Sequence, residues 1–232
     1  LESGPVMCWG NGQFGQLGNG ISKTVQNEPV EVTGLAGPVV DITAGEYHTC
    51  ALLKNGKIQC WGLNGAGQLG NGITREFLGR NVPVDVIGLP APAQAIAAGT
   101  NHTCARLMNG TVWCWGNDEY GQLGDGTKFR HSLPVVVIGL ESGTAAVASG
   151  GAHACVLTTG GGARCWGDNQ VGQLGDGTEA DRSTSVEVSG LENGVAAITA
   201  GISHTCALTT DGGAKCWGYN GIGQLGDGTT TN

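Results

Sequence analysis

Charge is scarce in this chain of 232 residues, and positive charge is scarcer than negative charge. Only 13% of the residues are charged, and 11 Lys and Arg stand against 19 Asp and Glu, for a formal net charge of −8. A protein that binds nucleic acid or an anionic membrane needs a basic surface, so this balance argues against both partners. No apolar run approaches the roughly 20 residues of a membrane-spanning helix, which predicts a chain without a membrane span.

Aromatic residues are also few, at 5%, whereas glycine is abundant, with 44 residues. The glycines follow no triplet period and alternate with Val, Ile, Leu and Cys at recurring places. Because glycine permits turns that other residues resist, this pattern predicts a turn-rich β protein.

The sequence repeats itself at a period of about 50 residues. The triplet CWG begins at residues 8, 60, 114, 165 and 216, and His-Thr-Cys or His-Ala-Cys begins at 48, 102, 153 and 204. Each unit holds an Ala-rich segment, a hairpin with both markers, a GQLG(D/N)G loop and a short apolar strand such as PVDVIGL. Four short strands per unit predict an all-β fold of the β-propeller type, a repeat array of four-stranded antiparallel blades.

The repeat boundaries predict a single repeat domain, 1–232, with about four and a half blades. Its predicted parts are an N-terminal half-blade (1–38), three full blades (39–92, 93–143 and 144–194) and a partial fourth blade (195–232).

The stretch HTCALTTDGGAKCWGYNGIGQLGDGT resembles the regulator of chromosome condensation repeat. The resemblance covers nearly the whole chain and implies a propeller that binds proteins through its faces. Family members typically have seven blades. The cysteines make the chain similar to the bacterial, secreted branch, which includes a secreted inhibitor of β-lactamases. Nuclear members act on a small GTPase and on chromatin, but the acidic charge and the cysteines here argue against that role.

The two cysteines of each unit are ten residues apart. A three-residue turn such as Lys54-Asn55-Gly56 places them directly opposite each other, at a position where side chains approach closely. This register predicts four disulfides within blades, and hence an oxidising compartment outside the cytosol. The predicted pairs are Cys50–Cys60, Cys104–Cys114, Cys155–Cys165 and Cys206–Cys216.

A metal site is the alternative for these residues, because His48, Cys50 and Cys60 could supply three ligands. Zinc sites favour closer cysteine spacings, and no fourth ligand recurs in the units. We therefore expect each repeated histidine to be buried and hydrogen-bonded to the backbone of an adjacent blade.

The unit count leaves Cys8 without a hairpin partner. The chain begins at Leu1 with no initiator methionine or signal peptide, which fits a processed or truncated chain. Together with the half-units, this favours a piece of a longer array. The alternative is that the open blade edges pair copies head to tail, with Cys8 in an intermolecular bond.

The sequence contains no recognisable catalytic constellation: no Ser-His-Asp grouping, no phosphate-cradling glycine motif and no HExxH. Asp125, Asp176 and Asp227 recur in the GQLGDGT loop, with Asn19 and Asn71 in the matching places. A residue that recurs in every blade is expected to hold a turn. These oxygens are possible ligands of a calcium ion, but each copy offers at most one carboxylate. We expect no cofactor.

The copies differ most in the segments that follow the GQLG(D/N)G loops, where cations and two of the three phenylalanines collect. Variable loops on a rigid scaffold commonly carry binding sites, although they can also be mere solvated connections. The candidate partner-binding residues are Lys23, Arg75, Phe77, Arg80, Lys128, Phe129, Arg130, His131 and Arg182.

These observations predict a non-enzymatic, extracellular binding module that presents loops to a protein or glycan partner. The alternative is a structural protein whose copies assemble through open edges into filaments or a surface layer.

Overall fold

The computed structural model describes residues 4–74 and 76–232, and every regular element within them is a β-strand. The strands are β1 (Met7–Asn11), β2 (Val25–Glu31), β3 (Val39–Ala44), β4 (His48–Leu53), β5 (Ile58–Asn64), β6 (Glu76–Asp85), β7 (Ala93–Ala98), β8 (His102–Leu107), β9 (Val112–Gly116), β10 (His131–Val136), β11 (Thr144–Ser149), β12 (His153–Thr158), β13 (Ala163–Gly167), β14 (Arg182–Glu187), β15 (Val195–Ala200), β16 (His204–Thr209) and β17 (Ala214–Gly218). The described residues contain no helix long and apolar enough to cross a membrane.

The strands form five antiparallel sheets in chain order. Strands β3–β6, β7–β10 and β11–β14 form three four-stranded blades, whereas β1–β2 and β15–β17 form sheets of two and three strands. The expected all-β array of four-stranded antiparallel blades is therefore confirmed, and about four and a half blades are present.

The Ala-rich strands β3, β7, β11 and β15 lie innermost, where neighbouring blades converge. A cavity of about 620 Å³ opens between them, and small residues such as Ala44, Ala98, Ser149 and Ala200 line it. Small side chains are needed here because several backbones approach one axis. The second strand of each blade packs on the inner strand of the next, which stacks the blades face to face.

The hairpin in each full blade has the register that places its two cysteines opposite each other. Cys50 pairs with Cys60 in the ladder, and their Cα atoms are 4.1 Å apart. This short separation is typical of a pair without backbone hydrogen bonds between its members. The structure contains disulfides between residues 50 and 60, 104 and 114, 155 and 165, and 206 and 216, and Cys8 is free.

Tryptophan joins each blade to the loop of the blade before it. The indole Nε1 of Trp61 donates to the backbone oxygen of Gln16 at 2.9 Å, and that of Trp115 donates to Gln68 at 2.9 Å. Trp166 and Trp217 repeat this bond with Gln122 and Gln173.

Glycine is required beside each of these indoles. Gly70 has a φ of +66°, and a Cβ atom there would lie 2.8 Å from Nε1 of Trp115. The CWG and GQLG motifs therefore recur together because they form one contact between successive blades.

Candidate functional site

Three of the four repeated histidines form a buried row between blades. His48, His102 and His153 are at most 1% exposed. Nε2 of His48 lies 2.9 Å from Oγ1 of Thr103 in the next blade. The expected burial is confirmed for these three histidines and is wrong for His204, which is partly exposed in the last described sheet. The expected backbone partner is wrong. The threonine hydroxyl is the partner because it donates to the backbone oxygen of Gln68 and thereby turns its lone pair to the imidazole.

Burial keeps these imidazoles neutral. It lowers the pKa of His48 to about 4 and the pKa of His102 and His153 to about 3. For His102 and His153, neighbouring histidines of the row lower the pKa further. Imidazoles that are inaccessible and neutral have a structural role.

His102 differs from its counterparts because neither of its ring nitrogens has a partner within the described structure. The next blade has Ala154 where the other blades have Thr103 and Thr205. His153 keeps the bond, with Nε2 2.9 Å from Oγ1 of Thr205.

We expect the variant Ala154→Thr to raise the free energy of unfolding by about 1 kcal/mol, because its hydroxyl can donate to Gln122 and accept from His102. Urea denaturation at pH 7 measures the change. The variant Ala154→Val is the matched control, since it adds similar volume without a hydroxyl. An equal gain in both variants would contradict the hydrogen-bond explanation.

The carboxylates of the GQLGDGT loops hold turns. Oδ1 of Asp125 accepts from the backbone nitrogen of Thr127 at 2.8 Å, and Asp176 and Asp227 make the same bond two residues ahead. Among the described residues, no group of three His, Cys, Asp or Glu side chains could hold a metal ion. The cysteines of the alternative metal site are joined in disulfides.

The residue two positions after each CWG triplet is polar and buried beneath the loop in the three full blades and in the last sheet. Asn64, Asn169 and Asn220 are fully buried, and the amide nitrogen of Asn169 donates to Oδ1 of Asp176 and to the oxygens of Thr178 and Ala180. In the second blade the matching residue is Asp118, which is also fully buried.

Asp118 cannot repeat the donor role of asparagine as a carboxylate. It accepts from the backbone nitrogen of Leu123 at 2.8 Å, and its other oxygen faces the loop that contains Asp125. Burial raises its pKa to about 7, and the neighbouring charge of Asp125 adds to the rise. The sequence analysis missed this residue, although an aspartate in a column of asparagines was a visible signal.

The connections from the third to the fourth strand of the blades share one end of the array, here called the loop face. It comprises residues 12–24, 65–74, 117–130 and 168–181. The turns at 54–57, 108–111, 159–162 and 210–213 lie at the opposite end, because successive antiparallel strands reverse direction. This end is called the hairpin face.

Four candidate residues on or beside the loop face form polar contacts within the protein. Lys128 forms an ion pair with Asp181 at 3.1 Å, and Arg182 forms one with Asp176 at 2.8 Å. Nε2 of His131 lies 3.0 Å from Asp125. Arg130 donates to the backbone oxygen of Gly65 at 3.4 Å. Lys128 and Arg130 thus connect the loop of the second blade to the third and first blades.

Phe129 stands between these two tethered cations and is 75% exposed. Lys23 lies apart on the first loop, where it is exposed and has a φ of +62°. Arg80 lies within β6 and is half-buried. Arg75 and the side chain of Phe77 lie outside the part of the chain that the structure describes. Lys128, Phe129 and Arg130 therefore form one loop segment, with His131 and Arg182 at its margin, whereas Lys23 and Arg80 lie on other blades.

The four-stranded sheets and the disulfide within each hairpin define the class of protein, a β-propeller of cysteine-containing repeats. A family model for the RCC1-like domain matches residues 1–232, and the chain belongs to this family. The chain is 35% identical over 228 residues to the ultraviolet-B receptor UVR8 of Arabidopsis thaliana, covering 96% of this chain and 51% of the receptor. It is 32% identical over 232 residues to the E3 ubiquitin-protein ligase HERC2 of Homo sapiens, covering 99% of this chain and 5% of the ligase.

The fold is similar to that of human WBSCR16, with a TM-score of 0.88 and 25% identity over 100% of this chain and 61% of that chain. The chain spans about half or less of the length of the curated relatives named here. The expected repeat family is confirmed. These relatives are eukaryotic, and membership of a bacterial, secreted branch stays a prediction. Domains of this family are generally interaction modules without catalytic function.

Proposed function

We propose that this chain is an extracellular, non-enzymatic module that binds a protein partner through its loop face. The observation that carries the proposal is the segment Lys128–Phe129–Arg130. An exposed aromatic side chain is held between two cations that are fastened to the neighbouring blades. Because the bonds of Lys128 and Arg130 restrict this loop, less conformational entropy is lost when Phe129 contacts a partner, which favours an interface.

Family relatives support a protein partner, since a yeast RCC1 has been crystallised with Kap60 bound. The four disulfides, of which the three in the full blades are buried, support an extracellular location, because thiols in the cytosol are kept reduced. A glycan partner has no separate support.

The second candidate is self-assembly into filaments. It is favoured by Trp9, which is 63% exposed at one open edge, whereas Trp61, Trp115 and Trp166 are fully buried.

Affinity capture from the extracellular and the intracellular fractions of the organism that makes this protein tests the proposal. The immobilised protein should retain a partner from the extracellular fraction, and Phe129→Ser should weaken binding at least tenfold. The control is Met108→Ser, which removes a side chain that is 67% exposed on the hairpin face and should leave binding unchanged. Equal retention by both variants, or a partner found only in the intracellular fraction, argues against the proposal. Long fibres in electron micrographs of the purified protein support the second candidate.

A further inference from the structure

The hairpin turn of the second full blade contains the tripeptide Asn109-Gly110-Thr111. An asparagine followed two positions later by threonine is the acceptor pattern for N-linked glycans when the middle residue is not proline. The turns of the other hairpins lack the pattern, since they read Asn55-Gly56-Lys57, Gly160-Gly161-Gly162 and Asp211-Gly212-Gly213. One turn on the hairpin face therefore differs from its counterparts in a chemically specific way.

The side chain of Asn109 is exposed, and its amide has a fixed orientation. Oδ1 accepts from the backbone nitrogen of Thr111 at 3.2 Å and from the hydroxyl of the same residue at 2.8 Å. Within the described part of the chain, Nδ2 of Asn109 makes no hydrogen bond. Because both bonds go to the oxygen, the amide nitrogen is the atom that stays accessible.

The hydroxyl of Thr111 is not needed to form the turn. In the first blade, Oδ1 of Asn55 accepts from the backbone nitrogen of Lys57 at 3.0 Å, so the same turn forms without a hydroxyl. In the second blade, Nε1 of Trp113 donates to Oγ1 of Thr111 at 3.0 Å. An indole nitrogen can only donate, so the single hydroxyl hydrogen of Thr111 is directed at Asn109.

Trp113 is the one tryptophan of the chain outside the CWG triplets. The matching positions in the other hairpins hold Gln59, Arg164 and Lys215. The ring of Trp113 is half-buried and packs on the core cluster of the first two full blades. Since it bonds to the same hydroxyl as Asn109, it provides a fixed apolar surface beside the amide, which suits the apolar face of a sugar ring.

The acceptor pattern occurs once more, at Asn101-His102-Thr103, where the fold closes it. Thr103 is fully buried, and its hydroxyl bonds to the backbone oxygen of Gln68 and to Nε2 of His48. Oδ1 of Asn101 accepts from the side-chain nitrogen of Gln68 at 3.2 Å. These bonds hold the tripeptide against the preceding blade, so Asn101 serves as an internal control for Asn109.

We propose that Asn109 is the acceptor of an N-linked glycan on the hairpin face and that the hydroxyl of Thr111 presents its amide. The donor is an oligosaccharide that is joined through a diphosphate to a lipid. Nδ2 forms a bond to the anomeric carbon of the first sugar, and the bond from that carbon to the diphosphate oxygen breaks. The lipid diphosphate leaves with the electron pair, and one proton of Nδ2 passes to a carboxylate of the transferase. This inference rests on the extracellular location proposed above, because secreted proteins carry such glycans.

A glycan on the hairpin face is compatible with a binding site on the loop face. It projects from the end of the array opposite residues 128–130, so Phe129 stays accessible to a protein partner. It also lies beside Met108, which is 67% exposed, and a bulky hydrophilic group there keeps this apolar side chain from contacts with other molecules.

Secretion of the full chain from cultured eukaryotic cells, behind a cleavable signal peptide, tests the acceptor. Peptide N-glycosidase F in water labelled with heavy oxygen converts each glycan-bearing asparagine to a labelled aspartate, which mass spectrometry locates. We expect the label at position 109 in most molecules and at position 101 in few or none. The variant Thr111→Val should abolish the label at 109, whereas Thr111→Ser should retain it because serine keeps the hydroxyl.

The first blade offers a matched control. The variant Lys57→Thr gives the exposed Asn55 the acceptor pattern in a turn of the same kind. A second label at position 55 would show that the transferase reaches the hairpin face. A label at 55 with none at 109, a label at 109 that survives Thr111→Val, or a secreted chain with no label at all would each overturn the proposal.

The protein from its natural source separates this inference from the proposed function. Extracellular protein without a glycan at position 109 overturns the inference and leaves the binding proposal standing. Extracellular protein that carries the glycan but retains no partner supports the inference and counts against the binding proposal. Protein found only inside cells overturns both the proposed location and the natural glycan.

Discussion

Acidification from pH 7 to pH 5 is expected to remove about 6 kcal/mol of stability through the buried row of His48, His102 and His153. Each imidazole has a pKa of about 3 or 4 in the folded protein, against 6.5 when it is free. At pH 5 the unfolded chain therefore binds protons that the folded chain excludes. The penalty is about 2 kcal/mol for each histidine, and it continues to grow until the pH approaches the folded pKa.

Urea denaturation at pH 7, 6 and 5 measures this effect most cleanly in the variant Asp118→Asn. Asp118 has a folded pKa raised above its unfolded value. Its contribution is lost as the pH rises, so it partly offsets the histidines in the unaltered protein. In the double variant with His102→Gln, the loss between pH 7 and pH 5 should shrink by about one third. An unchanged loss would show that His102 is not an acid-sensitive group.

Exchanging the buried side chains beneath two loops is expected to move stability in opposite directions. The variant Asn169→Asp should destabilise the protein by about 3 kcal/mol or more at pH 8. It loses the donor to Thr178 and Ala180 and places a carboxylate beside Asp176. The variant Asp118→Asn should stabilise the protein at the same pH by about 1 to 3 kcal/mol, because the amide can donate where the carboxylate cannot.

The pH dependence of this pair provides the control. The folded pKa of Asp118 is about 7 and its usual value is 3.8, so its stabilising effect is complete below pH 3.8 and is lost as the pH rises through 7. The benefit of Asp118→Asn should therefore be large at pH 8 and small at pH 4. A benefit that is the same at both values would contradict protonation of Asp118. Thermal melts of the two variants at each pH are sufficient.

The hairpin shows how much of the fold could be predicted from sequence. A ten-residue spacing and a glycine turn determine which backbone positions face each other, so the register of Cys50 and Cys60 followed from counting. The bond from Trp61 to Gln16 could not be counted in this way, since it joins residues 45 apart in separate blades. The threonine partners of the histidines were missed for the same reason.

The candidate site was less predictable than the fold. The loop segment 128–130 was selected for its two cations and its phenylalanine, but the ion pair of Lys128 and the hydrogen bond of Arg130 depend on the neighbouring loops. Asp118 was overlooked because its raised pKa results from its burial, and the burial of a loop residue depends on how the loop folds back. Local pattern thus predicts strand pairing, whereas contacts between blades require the assembled array.

The hydrogen bonds of Trp61, Trp115, Trp166 and Trp217 all run in one direction along the array. Each indole reaches back to the loop of the sheet before it, and the described residues make no such bond in the forward direction. A sheet can therefore lose its successor and keep its own indole anchored, but losing its predecessor frees that indole at once. The indole bonds therefore couple each sheet to its predecessor, so the loss of one sheet releases the indole of the sheet that follows it.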